Sequence, residues 1–172
     1  EVIVHLMAIS RGGSPVDRLI EAVRQIEGAF SLVAIAPNEV IGSRDPLGVR
    51  PLVLGKLGDS YLLSSETCGL DIVGADYVRD IEPGEMVVLD DRGVTSVRPM
   101  QPQDRRFCIF EYIYFARPDS GMEGQSVYSA RQRIGAELAI ESGVEADVIV
   151  PVPDSGVPAA IGYAGQSGIP FE

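Results

Sequence analysis

Phe30-Ser31-Leu32-Val33-Ala34-Ile35-Ala36-Pro37-Asn38-Glu39-Val40-Ile41-Gly42 holds two β-rich runs joined by a pair of turn residues. Pro37 presets its own φ and Asn38 tolerates turn dihedrals, so the stretch predicts an antiparallel hairpin. The same texture continues, with short apolar runs at 52–54, 61–64, 86–89 and 94–97. Gly58-Asp59, Pro83-Gly84 and Asp91-Arg92-Gly93 mark the turns between them.

Upstream, the periodicity changes from two to that of a helix. Val2, Ile3, Leu6 and Met7 recur on one helical face over residues 1–10, which also carry His5, and Gly12-Gly13 stops the pattern. A second helix starts at Ser14 as N-cap and Pro15 in the first turn. Val16, Leu19, Ile20, Val23 and Ile26 form its apolar face, and Gly28 is expected to end it. Two helices and several short strands predict an antiparallel α+β domain with sheet packed on helix over residues 1–97.

Residues 98–106 are polar, contain two prolines and have no period, and so read as a linker. Beyond them lies an aromatic run, 107–115, with five aromatics in nine residues. A turn at Arg117-Pro118-Asp119-Ser120 follows, then a helix over 127–142 stopped by Gly143. The last unit is an apolar strand at 147–152, a tight turn and a small-residue helix over 157–166, which together make most of a βα unit.

Composition sets the outer limits. A chain of 172 residues, 45% hydrophobic, can bury one good core and part of another. With 14 basic and 25 acidic residues the net charge is -11, which argues against nucleic acid or an anionic membrane as the main partner. A phosphate site held by backbone amides and a metal remains compatible with that charge. No apolar run approaches the roughly 20 residues needed to span a bilayer, and the start lacks the layout of a secretory signal. Two cysteines without paired spacing, Cys68 and Cys108, fit a reducing compartment, so a soluble cytoplasmic protein is expected. Both ends read as internal, so part of the machinery is expected outside these residues.

Three stretches could carry chemistry. Arg44-Asp45-Pro46-Leu47-Gly48-Val49-Arg50-Pro51-Leu52 reads first as a structural turn with an internal ion pair, and Ser64-Ser65-Glu66 as the cap of a short helix. Pro151-Val152-Pro153-Asp154-Ser155-Gly156 closes a parallel-type strand and opens a helix. Ligands bind at that place in open α/β sheets, where free amides and a hydroxyl can meet a phosphate or its magnesium ion, and a plain N-cap fits the same residues equally. The aromatic run reads as interdomain packing and Cys108 as a small buried hydrophobe.

Taken together and in order, these segments resemble the amidophosphoribosyltransferases. The Arg44 to Leu52 element is shared with other N-terminal-nucleophile glutamine amidotransferases. Phe110-Glu111-Tyr112-Ile113-Tyr114-Phe115-Ala116-Arg117-Pro118-Asp119-Ser120, followed by Ser126-Val127-Tyr128-Ser129-Ala130-Arg131 and Pro151 to Ser155, is far more selective. The resemblance implies the C-terminal part of a class II glutaminase layer over 1–97, the linker at 98–106, and the N-terminal part of an α/β phosphoribosyltransferase domain over 107–172. The family turns phosphoribosyl pyrophosphate, glutamine and water into 5-phosphoribosylamine, pyrophosphate and glutamate with magnesium, the first step of purine synthesis, and a homo-oligomer is expected for the full-length enzyme.

By motif position, Phe110 and Tyr114 match residues that line the ammonia conduit, Asp154 and Ser155 match the substrate site, and Ser155 matches a hydroxyl ligand to magnesium. Cys108 matches the place where one branch of the family supplies the first of four ligands to a [4Fe-4S] cluster, while other branches keep a cysteine there without a cluster. The family's nucleophilic cysteine, glutamine-holding Arg, Asn-Gly pair and Asp are expected upstream of Glu1, and its Asp-Asp phosphoribosyl pyrophosphate motif beyond Glu172. No catalytic residue is therefore expected in this chain, which alone should be inactive. The alternatives are another N-terminal-nucleophile amidotransferase or a non-catalytic module with this fold. An asparagine synthetase would show a Ser-Gly-Gly-x-Asp-Ser loop after the linker, and none is present.

Overall fold

The computed structural model describes residues 1–101 and 103–172; Pro102, part of the expected linker, lies outside the described residues. The chain forms two compact units. One comprises Glu1–Ser65 and Gly69–Cys108, the other Glu66–Cys68 and Ile109–Glu172.

In the first unit, α1 (Val2–Ile9) precedes α2 (Pro15–Val23). Ser14 accepts from Asp17 N at 3.1 Å while the Asp17 carboxylate accepts from Ser14 N at 3.2 Å, a reciprocal cap that fixes the start of α2. The helix ends earlier than its apolar period predicts. Gln25 and Ile26 donate to carbonyls only three residues back, Ala22 O and Val23 O, so the last turn tightens and leaves the α-path before Gly28. Ile26 still packs against the core from outside the helix.

Seven strands follow as two antiparallel sheets. β1 (Ser31–Ala36), β2 (Glu39–Arg44), β6 (Met86–Asp90) and β7 (Gly93–Val97) make one sheet in the order β1-β2-β6-β7. β3 (Val53–Leu57), β4 (Ser60–Ser64) and β5 (Asp76–Asp80) make the other, in the order β4-β3-β5. Strand period two sorts the side chains: Ile41, Met86 and Val88 face Leu19 and Val23 of α2, while Val87 and Leu89 face Leu52, Leu54 and Ile81. The four-stranded sheet is thus covered on one face by helix and on the other by the second sheet. Beyond that sheet, α3 (Thr67–Val73) sets Leu70 against Val53 and Ala75.

Within this unit β5 is the element absent from the sequence expectation. It is an edge strand bracketed by Asp76 and Asp80, and its apolar residues Tyr77 and Val78 are both exposed, so no buried alternation marks it. The described residues of the expected linker form no regular element, but they do not hang free. Gln103 N and Arg106 N donate to Pro46 O and Leu47 O at 3.2 and 2.8 Å, and Arg24 Nε donates to Pro99 O at 3.0 Å.

The second unit opens with a single π-turn, Glu111–Phe115, followed by a two-residue hairpin of β8 (Gly121–Met122) and β9 (Gln125–Ser126). Helix α4 (Val127–Glu141) is capped by Ser126 Oγ on Ser129 N at 3.3 Å, and α5 (Gly156–Ser167) ends on Gly168 at φ 77°. The two helices cross at contact distance: a Cβ at Gly135 would overlap the Ala159 carbonyl, and one at Gly162 the Gln132 carbonyl. The strand expected at 147–152 is not formed as such. Ile149 makes one parallel bridge to Phe171, with Ile149 N on Pro170 O at 2.8 Å and Glu172 N on Ile149 O at 3.1 Å. A ladder needs a neighbouring strand along its length, and among the described residues the bonds of this run to a parallel neighbour are those between Ile149 and residues 170–172.

Candidate functional site

The 44–52 stretch is a buried lock. The Arg44 guanidinium, 1% exposed, donates to three main-chain carbonyls: Arg50 O at 2.8 Å, Ile81 O at 2.8 Å and Gly48 O at 3.0 Å. The fully buried Asp45 carboxylate accepts from Leu47 N at 2.9 Å and from Phe30 N and Val49 N at 3.3 Å. Both charges are buried and bound by backbone groups. This arrangement supports the structural reading of the stretch.

Glu66, read as part of a helix cap, reaches a different partner. Its Oε2 accepts from Ser120 Oγ at 2.6 Å and from Arg117 N at 2.8 Å, while Thr67 Oγ1 accepts from Gly121 N at 2.8 Å. Cys68, 4% exposed, lies beside it, Sγ to Glu66 Oε2 at 3.8 Å. Nothing in the local sequence of Glu66 points to these contacts, because the partners lie more than 50 residues away.

Much of the aromatic run is exposed. Phe110, Tyr114 and Phe115 are 51%, 65% and 48% exposed, whereas Glu111 and Tyr112 are buried. The Phe110 and Phe115 rings lie 5.8 Å apart and tilted by 43°, and Tyr114 and Phe115 meet edge-on at 6.0 Å. Phe115 therefore joins Phe110 and Tyr114, a connection that period-3.6 reasoning does not suggest. Tyr112 points the other way, its hydroxyl donating to Met122 O at 2.7 Å. Beneath the turn, Arg131 of α4 is 2% exposed and donates to Tyr112 O at 2.5 Å and Ala116 O at 2.8 Å.

At the start of α5, Asp154 is exposed and Ser155 half-buried. Ser155 holds the N-cap position with helical dihedrals, φ −64° and ψ −28°, and its side chain makes no capping bond. Gly156 N and Val157 N turn inward to Val152 O and Asp154 O. Cys108 is half-buried in the first unit, its N–H on Val49 O at 3.2 Å.

Comparison with known proteins decides the relationship. The chain is 51% identical over its whole length to an amidophosphoribosyltransferase of Rhizobium etli and 46% identical to that of Bacillus subtilis, covering 36% of each. It superposes with a TM-score of 0.94, at 45% identity over 99% of its length, on 37% of the chain of the Bacillus subtilis glutamine phosphoribosylpyrophosphate amidotransferase solved with ADP and GMP. The chain is homologous to a segment of the amidophosphoribosyltransferases. It spans about a third of the length of these relatives. No family model matches it.

Against the amidophosphoribosyltransferase expectations, the structure brings Phe110 and Tyr114 together through Phe115, and Asp154 next to Ser155 at a helix start. Among the described residues no group of three or more His, Cys, Asp or Glu side chains forms a metal cluster, and no helix is long and apolar enough to cross a membrane. A [4Fe-4S] cluster needs four thiolates, and the sequence has two cysteines, so these residues do not fit a complete cluster. Magnesium is different: it keeps several waters and takes only one or two protein ligands beside a phosphate, and an uncommitted hydroxyl next to an exposed carboxylate fits that donor set.

Proposed function

We propose that residues 1–97 are the C-terminal part of a glutaminase layer of the N-terminal-nucleophile class, with the linker at 98–106, and that residues 107–172 begin a phosphoribosyltransferase domain. The full-length protein is read as a cytoplasmic amidophosphoribosyltransferase. The observation that carries this reading is identity of 46–51% across the whole chain to enzymes of that name. The helix–sheet–sheet layering of the first unit and the parallel Ile149 to Phe171 bridge spanning α5 in the second support it.

In the reaction, water cleaves the glutamine side-chain amide to glutamate and ammonia. Ammonia then forms the new bond to C1 of phosphoribosyl pyrophosphate, and pyrophosphate leaves with the electron pair of the broken C–O bond. Ammonia must stay neutral to attack, and bulk water at neutral pH would protonate it. An apolar surface that includes Phe110 and Tyr114 favours the uncharged nucleophile because it keeps bulk water, the source of the proton, away from ammonia. Asp154 and Ser155 would meet the pyrophosphate end of the substrate through their side chains, because the Gly156 and Val157 amides at that helix start are already bonded to Val152 O and Asp154 O. Magnesium, when bound there, would neutralise charge on the departing pyrophosphate.

The test is direct. The full-length gene product should release glutamate from glutamine and form phosphoribosylamine only when phosphoribosyl pyrophosphate and magnesium are supplied, whereas the 172-residue chain should do neither. A full-length protein without glutamine-dependent phosphoribosylamine synthesis would defeat the reading.

A further inference from the structure

The π-turn ends in an unusual way. It closes by Ala116 N donating to Glu111 O at 3.1 Å, five residues back. One more step of the same turn would pair Arg117 N with Tyr112 O. Both groups are taken. Arg117 N donates to Glu66 Oε2 at 2.8 Å, and Tyr112 O accepts from Arg131 Nε at 2.5 Å. Arg131 Nη2 also holds the next carbonyl, Ala116 O, at 2.8 Å. An acid thus removes the donor and a base removes the acceptor that would carry the turn onward. Glu66 is itself held by Ser120 Oγ at 2.6 Å, and its charge favours the protonated guanidinium of Arg131 against the cost of burial.

The place where the turn ends decides which side chains share a face. In an α-helix, residues five apart point about 140° away from each other. Closure five residues back brings them to one side, and the Phe110 and Phe115 rings accordingly touch at 5.8 Å with Tyr114 against Phe115. Turns of this kind occur often at functional sites.

We propose that Glu66 and Arg131 are positioning residues for ammonia transfer: by stopping the π-turn from both sides, they hold Phe110, Tyr114 and Phe115 as one aromatic face that conveys ammonia to the phosphoribosyl acceptor. This rests on the amidophosphoribosyltransferase reading above. Neither residue touches substrate; both act through the main chain of residues 112–117.

The experiment uses the full-length protein with Arg131→Met, Arg131→Lys and Glu66→Gln. Three rates are measured: glutamate release, phosphoribosylamine formation from glutamine, and phosphoribosylamine formation from added ammonium. In the wild type glutamate and phosphoribosylamine should appear in equal amounts. Arg131→Met and Glu66→Gln should raise glutamate released per phosphoribosylamine by about threefold or more, since misplacement by about 1 Å can cost up to about a hundredfold. Synthesis from added ammonium should persist. Arg131→Lys keeps the charge and one donor direction, and should fall between wild type and Arg131→Met. An unchanged ratio, with the three rates either retained or falling in parallel, would overturn the proposal and leave both residues as scaffold. If Arg131→Met does not fold, Glu66→Gln, isosteric and only half-buried, carries the same comparison. Amide hydrogen exchange over residues 111–117 separates this idea from the functional reading. Faster exchange in both variants with no glutamine-dependent synthesis in wild type would defeat the assigned reaction and with it the transfer role, whereas unchanged exchange would overturn the positioning itself.

Discussion

Arg79 grips Glu85 with both ends of its guanidinium, Nη1 to Oε2 at 2.9 Å and Nη2 to Oε1 at 2.7 Å. Glu85 is 2% exposed and also accepts from Ser96 Oγ at 2.6 Å and Glu82 N at 2.7 Å. One carboxylate, on the residue just before β6, therefore ties β5 of the second sheet to β7 of the first. Burial alone would push its pKa up, but the bonds from Arg79, Ser96 and the Glu82 amide outweigh it and bring the value down to about 2.

A carboxylate whose folded pKa is depressed adds stability that is full above its unfolded pKa and is lost as pH falls through the folded one. Here that window runs from the ordinary 4.5 down to about 2. Glu85→Gln should destabilise the protein at neutral pH by about 3 kcal/mol, the low end of the range for breaking a buried pair because Arg79 keeps contact with solvent. It should also flatten the acid limb of stability. Thermal melts of both proteins between pH 6 and pH 2 check this, and parallel melting curves across that range would contradict it.

Much of the fold was readable because the hairpins and helices carry local instructions. Pro37-Asn38 and Asp91-Arg92-Gly93 sit in the turns they predict, and Ser14 caps α2. What stayed hidden depends on partners far along the chain. β5 exists because β3 pairs with it, not because its own side chains alternate. The 147–152 run is apolar enough for a strand, yet strand geometry belongs to a pair, and among the described residues its one bridge is to Phe171. At the candidate site, the resemblance attached a role to Phe110 and Tyr114, whereas Phe115, Glu66 and Arg131 lay inside its motifs with none. Their roles follow from a π-turn that no local period announces and from bonds spanning 15 to 54 residues.

The α4–α5 crossing gives a paired prediction. An added methyl at Gly135 would collide with the Ala159 carbonyl, which is backbone and cannot rotate away, while nothing lies within 4 Å of a Cβ at Gly165. Both sites are helical, so Ala should be intrinsically better than Gly by about 1 kcal/mol at each. Gly165→Ala should therefore stabilise by about 0.5–1 kcal/mol. Gly135→Ala should lose about 1–3 kcal/mol as the helices are forced apart. Urea midpoints for the two variants should move in opposite directions; a shift to higher urea in both would mean that the crossing is looser than described.

Arg44 should not tolerate lysine. Its three acceptors, on Arg50, Ile81 and Gly48, surround a planar fork, and an ammonium on a flexible stem cannot reach all three in that geometry. Leaving even one buried carbonyl without a donor costs about 1–3 kcal/mol. For a chain of this size that corresponds to a drop in Tm of several degrees, roughly 2–4 °C per kcal/mol. A calorimetric Tm for Arg44→Lys within a degree of wild type would show that the cage is dispensable.

Ser155 separates stability from chemistry. An ordinary N-cap serine gives up about 1 kcal/mol when changed to alanine, because its oxygen satisfies an orphan amide. Ser155 makes no such bond, and its helical dihedrals already continue the path of α5. Ser155→Ala should thus leave the thermal midpoint nearly unchanged. If the hydroxyl serves the magnesium–pyrophosphate end of the substrate, as proposed, the same change in the full-length enzyme should raise the KM for phosphoribosyl pyrophosphate, most at limiting magnesium. The size expected is about tenfold or more, from one charge-assisted contact of about 1.5–3 kcal/mol. Glutamine hydrolysis measured alone should stay within about twofold of wild type, a difference below about 0.5 kcal/mol. A lowered melting point with unaltered phosphoribosyl pyrophosphate kinetics would return Ser155 to the role of a helix cap.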